Sequence, residues 1–301
     1  MADQARRAAL LSIGLLLLVF AGGLYFSSRL LLGRSPFPFG GGSVAVLPIG
    51  GVIYAERSFG RDLVNLSGRD DVKAFVLEIR SPGGSVGASQ ELYGQVKRLR
   101  EEDARPVLAW IGDVGASGGY YVALGADSIF ALPGSITGSI GVIMQFPQAE
   151  ELLRKVGVEM QVVKSGEFKD VGSFARPLTE ADRLVLEELV NDVYEQFVGV
   201  VVENRGLSRE EVVRVADGRV ISGERAVELG LVDGLGTLQE AIDRAGRMAG
   251  LGENPPTVRP RHRKIGVFDL LTGVAEGTVR NWLPWMRTAS ASHPQLLYLW
   301  R

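Results

Sequence analysis

Beyond residue 43 the apolar positions gather in short unbroken runs: Val44–Leu47, Ala74–Ile79, Val107–Ile111, Ile129–Leu132 and Val158–Val163. Runs of this length without polar interruption predict strands buried on both faces. Between them the pattern lengthens to the helical period, which predicts helices over Ser89–Glu102, Gly118–Ala126 and Ala149–Val156. Strand–helix–strand alternation at this spacing argues for parallel crossover units and an α/β fold. The character then changes. Thr179–Asn204 reads as one long amphipathic helix capped by Thr179, and two shorter helices open on the capping boxes Ser208…Glu211 and Thr237…Glu240. No short internal repeat is present.

The two ends carry a different pattern. Between Arg7 and Arg29 every residue is uncharged, "AALLSIGLLLLVFAGGLYFSS". As a helix this stretch reaches about 32 Å, enough to cross a hydrocarbon core of roughly 30 Å. We therefore expect an anchor over 1–32, transmembrane over about 8–28; a cleaved signal peptide ending near Ala21-Gly22-Gly23 is the other reading. Arginines flank both sides, and the pair Arg6–Arg7 leans only weakly towards an inside N-terminus. "GRSPFPFGGGS" reads as a linker over 33–43, followed by a domain over 44–250 and a C-terminal extension over 251–301. Within that extension, the basic run Arg259–Lys264 reads as a solvated loop or a contact for anionic lipid headgroups. Trp282, Trp285 and Trp300 fall near the end, and the tail "SHPQLLYLWR" is too apolar to leave in water. It is expected to pack on the protein or a neighbour, to touch the membrane interface, or to mimic substrate as an extended strand.

Composition narrows the chemistry. The 33 basic residues nearly balance the 35 acidic ones, so charge gives no case for a nucleic-acid partner. There is no cysteine, which removes disulfides, a thiol nucleophile and thiolate metal sites. The two histidines, His262 and His293, both lie in the last part of the chain, in positions that do not read as rigid supports for catalysis.

Glycine-rich turns follow the predicted strands. "RSPGGSVGAS", from Arg80, lets the backbone turn sharply at Gly83 and Gly84 and expose N–H groups before a helix, a place for an anion or a developing oxyanion. "GASGG", from Gly115, places Ser117 at a second strand-to-helix turn in the pattern of a nucleophile elbow. "TGSIGV", from Thr137, is the third. Small exposed nucleophile and nearby backbone donors together are what acyl transfer needs. A serine also needs a base, and without a placed histidine lysine remains, provided burial brings it from near 10.4 to about 7–8. Lys155 reads as a wet helix position; spacing does not choose between Lys164 and Lys169.

The ordered set "SPGGSV", "ASGGYY", "TGSIGVIM", "KSGEFKD" and "DGRVISGERAVELGLVDGLG" resembles the signal peptide peptidase A family of membrane-anchored bacterial serine proteases. The resemblance implies Ser117 as nucleophile, Lys169 as general base, Gly84 and Gly118 as oxyanion-hole donors, and Ser139 as the hydroxyl that orients the lysine. It implies the Clp/crotonase-like spiral of ββα units, without a Clp-type triad, since "GVIMQFP" stands where those enzymes carry histidine. It implies no metal or organic cofactor. Substrates would be apolar peptides such as signal peptide remnants, cleaved on the extracytoplasmic side of a bacterial membrane. Some members carry two tandem copies of the domain that share serine and lysine. One copy here implies a ring-like homo-oligomer with each site completed by a neighbour. Asp170, beside Lys169, should then point away, because a carboxylate paired with the amine would keep it protonated. A non-catalytic membrane scaffold and a crotonase-like acyl-CoA enzyme are the competing readings.

Overall fold

In the computed structural model, which describes residues 16–25, 27, 41–54, 57–260 and 297–299, the apolar runs become strands of a mostly parallel sheet. The strands are β1 (Ser43–Gly50), β2 (Val72–Ser81), β3 (Gly83–Ser85), β4 (Val107–Gly115), β5 (Ser128–Ala131), β6 (Ile136–Gly138), β7 (Val220–Ser222), β8 (Gly234–Leu235), β9 (Thr257–Val258) and β10 (Leu297–Leu299). The main sheet runs β7-β6-β4-β2-β1-β9, with β5 beside β4 and β8 beside β5. Its pairs are parallel except β6–β7. β3 and β10 form a separate antiparallel pair.

Each long strand hides an alternation inside its apolar run. Ala45, Leu47, Phe75, Leu77, Val107, Ala109 and Ile111 belong to one core; Val44, Val46, Ala74, Val76, Leu108 and Trp110 belong to another. Successive side chains of a strand point to opposite faces, so both faces of the sheet are covered and no polar alternation survives in the sequence. The helices are α1 (Arg57–Ser67), α2 (Val86–Glu102), α3 (Gly118–Ala123), α4 (Glu150–Lys155), α5 (Glu180–Arg205), α6 (Arg209–Val213), α7 (Gly223–Glu228) and α8 (Leu238–Met248). The first core takes Phe59 and Leu63 of α1, Leu92 and Val96 of α2, Tyr120 of α3, and Phe197 and Val201 of α5. The second is closed by Ala241, Ile242 and Ala245 of α8.

Caps form where the sequence placed them. Thr179, Ser208 and Thr237 each accept a backbone N–H three residues on, and each box is closed by its acidic partner, Asp182, Glu211 or Glu240. α5 ends on Gly206 in the left-handed region, with φ at 64°.

Val158–Val163 is a correction. It forms no strand, and Val163 is fully exposed while Val158, Met160 and Val162 are about half exposed. Among the described residues no strand runs beside this segment, so it has no ladder partner there; its apolar character is not that of a buried core. Exposed apolar residues continue through this arm and onto the first turns of α5: Leu152, Val156, Phe168, Phe174, Leu184 and Leu189.

At the N-terminus residues 16–25 are helical, and among the described residues no helix is long and apolar enough to cross a membrane. The rest of the expected span, most of the linker, both histidines, Trp282, Trp285 and Trp300 lie outside the described residues. From the basic run, Arg259 Nη1 donates to Glu78 Oε2 at 2.6 Å, which ties the start of that run to β2.

Candidate active site

The site is assembled from turns at the C-terminal ends of β2, β4 and β6, where ligands gather in α/β sheets. β2 ends on Ser81, which is fully buried. Its hydroxyl donates to the Gly51 carbonyl at 2.7 Å and accepts the Gly83 N–H at 3.1 Å. Its carbonyl accepts the Ala116 N–H at 3.1 Å, so Ser81 joins the first glycine turn to the second.

Gly84 sits directly against Ile53, and a Cβ at this position would run into the Ile53 carbonyl. On that side Ile53 N–H donates to the Gly83 carbonyl at 2.8 Å and Ser85 N–H donates to the Ile53 carbonyl at 2.7 Å. Alternation along an extended segment therefore turns Gly84's own N–H and C=O to the opposite edge. The tail lies on that edge. β10 runs antiparallel to β3, with Leu297 opposite Ser85, Tyr298 opposite Gly84 and Leu299 opposite Gly83. The same strand lies against α2 and α3.

Ser117 stands between β4 and α3 with φ at 53° and ψ at −118°. A non-glycine residue there is strained, at a cost on the order of 1–3 kcal/mol, and persists only where the surroundings enforce it. They do so here. Ser117 N–H donates to the Gly138 carbonyl at 2.8 Å, and its own carbonyl accepts Tyr121 N–H at 2.9 Å. Thr137 Oγ1 donates to the Gly115 carbonyl at 2.8 Å. Gly119 leaves room for the Ser81 carbonyl, which a Cβ would approach to 2.6 Å. Behind the turn α3 is locked: Tyr120 is fully buried and donates to the Leu231 carbonyl at 2.7 Å, and Tyr121 meets Tyr93 and Phe197 edge-on.

The Ser117 side chain is buried at 1% exposure and does not cap α3. At the first helical position, Gly118 N–H has no backbone acceptor among the described residues, one of the orphan donors that a helix start leaves over. A hydroxyl held in an enforced turn beside an untaken N–H is the arrangement an acyl-transfer nucleophile uses.

Ser139 is also left-handed, with φ at 51°, and buried at 7% exposure. Its N–H donates to the Arg219 carbonyl at 2.8 Å. Here the β6–β7 pair braces the turn, with Thr137 opposite Ile221 and Gly138 opposite Val220. The sequence singled out "DGRVISGERAVELG" without a physical task for it; its first half is this brace.

Gly84, Ser117, Gly118 and Ser139 thus lie on turns bonded to one another. Lys169 does not join them within the chain. It lies exposed on the 3-10 turn Glu167–Asp170, and no hydrogen bond or ion pair of its amine occurs among the described residues. Lys164, by contrast, is engaged. Its Nζ donates to the Glu167 carbonyl and to Asp170 Oδ1, both at 2.7 Å. The Asp170 carboxylate also takes Arg176, so it is turned to these cations rather than to Lys169. Lys155 is exposed at the end of α4, as its spacing predicts.

Residues 100–252 match the model of peptidase family S49. A protein of Synechocystis sp. assigned as a protease is 47% identical over 178 residues, 59% of this chain and 64% of that one. Another assigned protease, from Methanocaldococcus jannaschii, is 36% identical over 212 residues, 69% of this chain and 67% of that one. A protein of Enterococcus faecium assigned as a signal peptide peptidase SppA is 37% identical over 190 residues, 63% of this chain and 55% of that one. The chain therefore spans between about half and two thirds of the length of these relatives.

Proposed function

This chain belongs to peptidase family S49, and from that premise we infer that it is a serine endopeptidase working through Ser117 and Lys169. The neutral Lys169 amine takes the Ser117 proton. Ser117 Oγ bonds to the peptide carbonyl carbon, while the N–H groups of Gly84 and Gly118 receive the negative oxygen. The C–N bond then breaks, the proton passes to the leaving amine, and water releases the acyl group from Ser117. Ser139 orients the lysine.

The observation that carries this reading is the geometry at Ser117: a strained, buried turn held from three sides, opening onto an untaken N–H. The engagement of Lys164 supports Lys169 as the base, because the Lys164 amine is already taken by the Glu167 carbonyl and Asp170 while that of Lys169 is not. The chain's own strand on the β3 edge supports substrates that bind as an added strand, hence extended peptides. Apolar segments such as signal peptide remnants fit that mode.

The exposed apolar arm before α5, which carries Lys169, supports a neighbouring copy of the chain as its cover. On this reading a ring-like homo-oligomer brings Lys169 of one subunit to Ser117 of the next. The fold is read as the Clp/crotonase-like spiral over 44–250, with 251–301 as an extension. The apolar N-terminal stretch tethers it to the bacterial cell membrane, with the catalytic domain on the extracytoplasmic side.

Labelling with a serine-directed fluorophosphonate tests the assignment. Wild type should label at Ser117, and Ser117→Ala should neither label nor cleave. Lys169→Ala should lose peptidase activity with the fold intact, whereas Lys164→Ala should keep most of it. A wild-type protein that never labels would instead be a non-catalytic scaffold.

A further inference from the structure

Lys169 is followed directly by a carboxylate, and the structure shows what that carboxylate is doing. Arg176 Nε donates to Asp170 Oδ2 at 3.0 Å and Nη2 to Oδ1 at 2.8 Å. The same guanidinium reaches the other way. Nη1 donates to Asp182 Oδ2 and, at 3.0 Å, to the Pro177 carbonyl; Nη2 also reaches Asp182 Oδ1 at 3.2 Å. Asp182 is 2% exposed and its position is already fixed, because it closes the capping box with Thr179 at the start of α5. One planar fork thus fastens the turn bearing Lys169 to the first turn of the longest helix. An ammonium, a point charge without a fork, cannot hold two carboxylates in this way.

We propose that Arg176 is a positioning residue for Lys169: it fixes the Glu167–Asp170 turn on α5 and occupies Asp170, leaving the Lys169 amine without a carboxylate among the described residues. The proposal rests on Lys169 being the general base. Asp170 is faced by Lys164 from the preceding segment and by Arg176, and Arg176 is faced in turn by Asp182 from α5. Glu167 enters this cluster through its carbonyl. Among the described residues no Asp or Glu comes within ion-pair reach of Lys169. The bonds from Arg176, and then that from Lys164, hold the Asp170 carboxyl well below the usual carboxylate range, so it stays charged at working pH. Without Arg176, Asp170 keeps one cation, Lys164, in place of two and remains an anion one residue from the base.

The test is the pH dependence of kcat/KM on an apolar peptide for wild type, Arg176→Ala, Arg176→Lys and Arg176→Ala/Asp170→Asn, with oligomer size and melting temperature recorded for each. In Arg176→Ala the Asp170 carboxylate keeps only its bond from Lys164, and the turn, unfastened from α5, lets that partly neutralised charge favour the ammonium of Lys169, whereas only the neutral amine accepts a proton. The midpoint of the rising limb should move up by about one pH unit, which is about a tenfold loss at pH 7 that is recovered at higher pH. Arg176→Lys should fall between wild type and Arg176→Ala, and it carries the test should Arg176→Ala fail to assemble. The double variant removes the released charge and should return the midpoint to that of wild type. An activity loss equal at every pH would overturn the proposal, as would a shifted midpoint that survives Asp170→Asn. Full activity in Lys169→Ala would overturn the base assignment instead.

Discussion

At Ser117, with the nucleophile role proposed above, two requirements pull against each other, because the chemistry would need a hydroxyl where the backbone favours glycine. With φ at 53° and ψ at −118°, its Cβ crowds the chain, and the carbonyls of Gly138 and Ser81 hold the turn in place regardless. Ser117→Gly should therefore remove strain that Ser117→Ala retains. Both variants should be inactive, but the glycine variant should unfold at higher denaturant, by an amount equivalent to about 1 kcal/mol after its greater unfolded-state freedom is counted. Equal midpoints in urea would mean that the turn is not strained in solution. The glycines tell the same story in reverse: Gly84 and Gly119 are needed because the backbones of Ile53 and Ser81 occupy the space a Cβ would take. These residues were legible in the sequence because tight turns restrict residue type. Spacing did not separate Lys164 from Lys169, since the difference between them is a local contact six residues along, from Lys164 to Asp170, that only the folded turn displays.

Among the elements, the strands buried on both faces were the most legible, since burial leaves the same unbroken apolar run whichever way each side chain points. Shorter elements escaped. α1 shows its core face only through Phe59, Leu63 and Leu66 in an otherwise polar stretch, and three-residue strands such as β6 and β7 have too few positions to display a period. Val158–Val163 misled for a deeper reason: an exposed apolar run and a buried one read alike in sequence. The tail sequence proved informative, because the strand addition entertained for "LLYLW" is the pairing of β10 with β3. Deleting Gln295–Arg301 should uncover the edge beside Gly84, raising activity or lowering KM in steady-state assays without lowering the melting temperature. Joint loss of stability and activity would make the tail a structural strand.

For the whole molecule, the decisive contrast is between a site core bonded into one unit and a lysine on an exposed arm with no partner among the described residues. If neighbouring subunits complete the site, two inactive proteins should rescue each other. Oligomers formed by mixing Ser117→Ala with Lys169→Ala will hold some sites with both an intact serine and an intact lysine. Activity should return as subunits exchange, towards about a quarter of wild type for an equal, random mixture. No recovery in mixtures shown to exchange would place both groups in one chain. The strand at β3 has a further consequence at this scale. If that strand fills the peptide groove, it is an inhibitor that is never diluted: it would act at an effective concentration on the order of millimolar, whatever the amount of protein. Stray short peptides that grip the groove more weakly than this would be turned away, and cleavage would begin only when a segment long enough to pair along the whole edge displaced the resident strand. The enzyme would then idle at a fixed dose of its own chain, and peptide length would set the threshold for turnover.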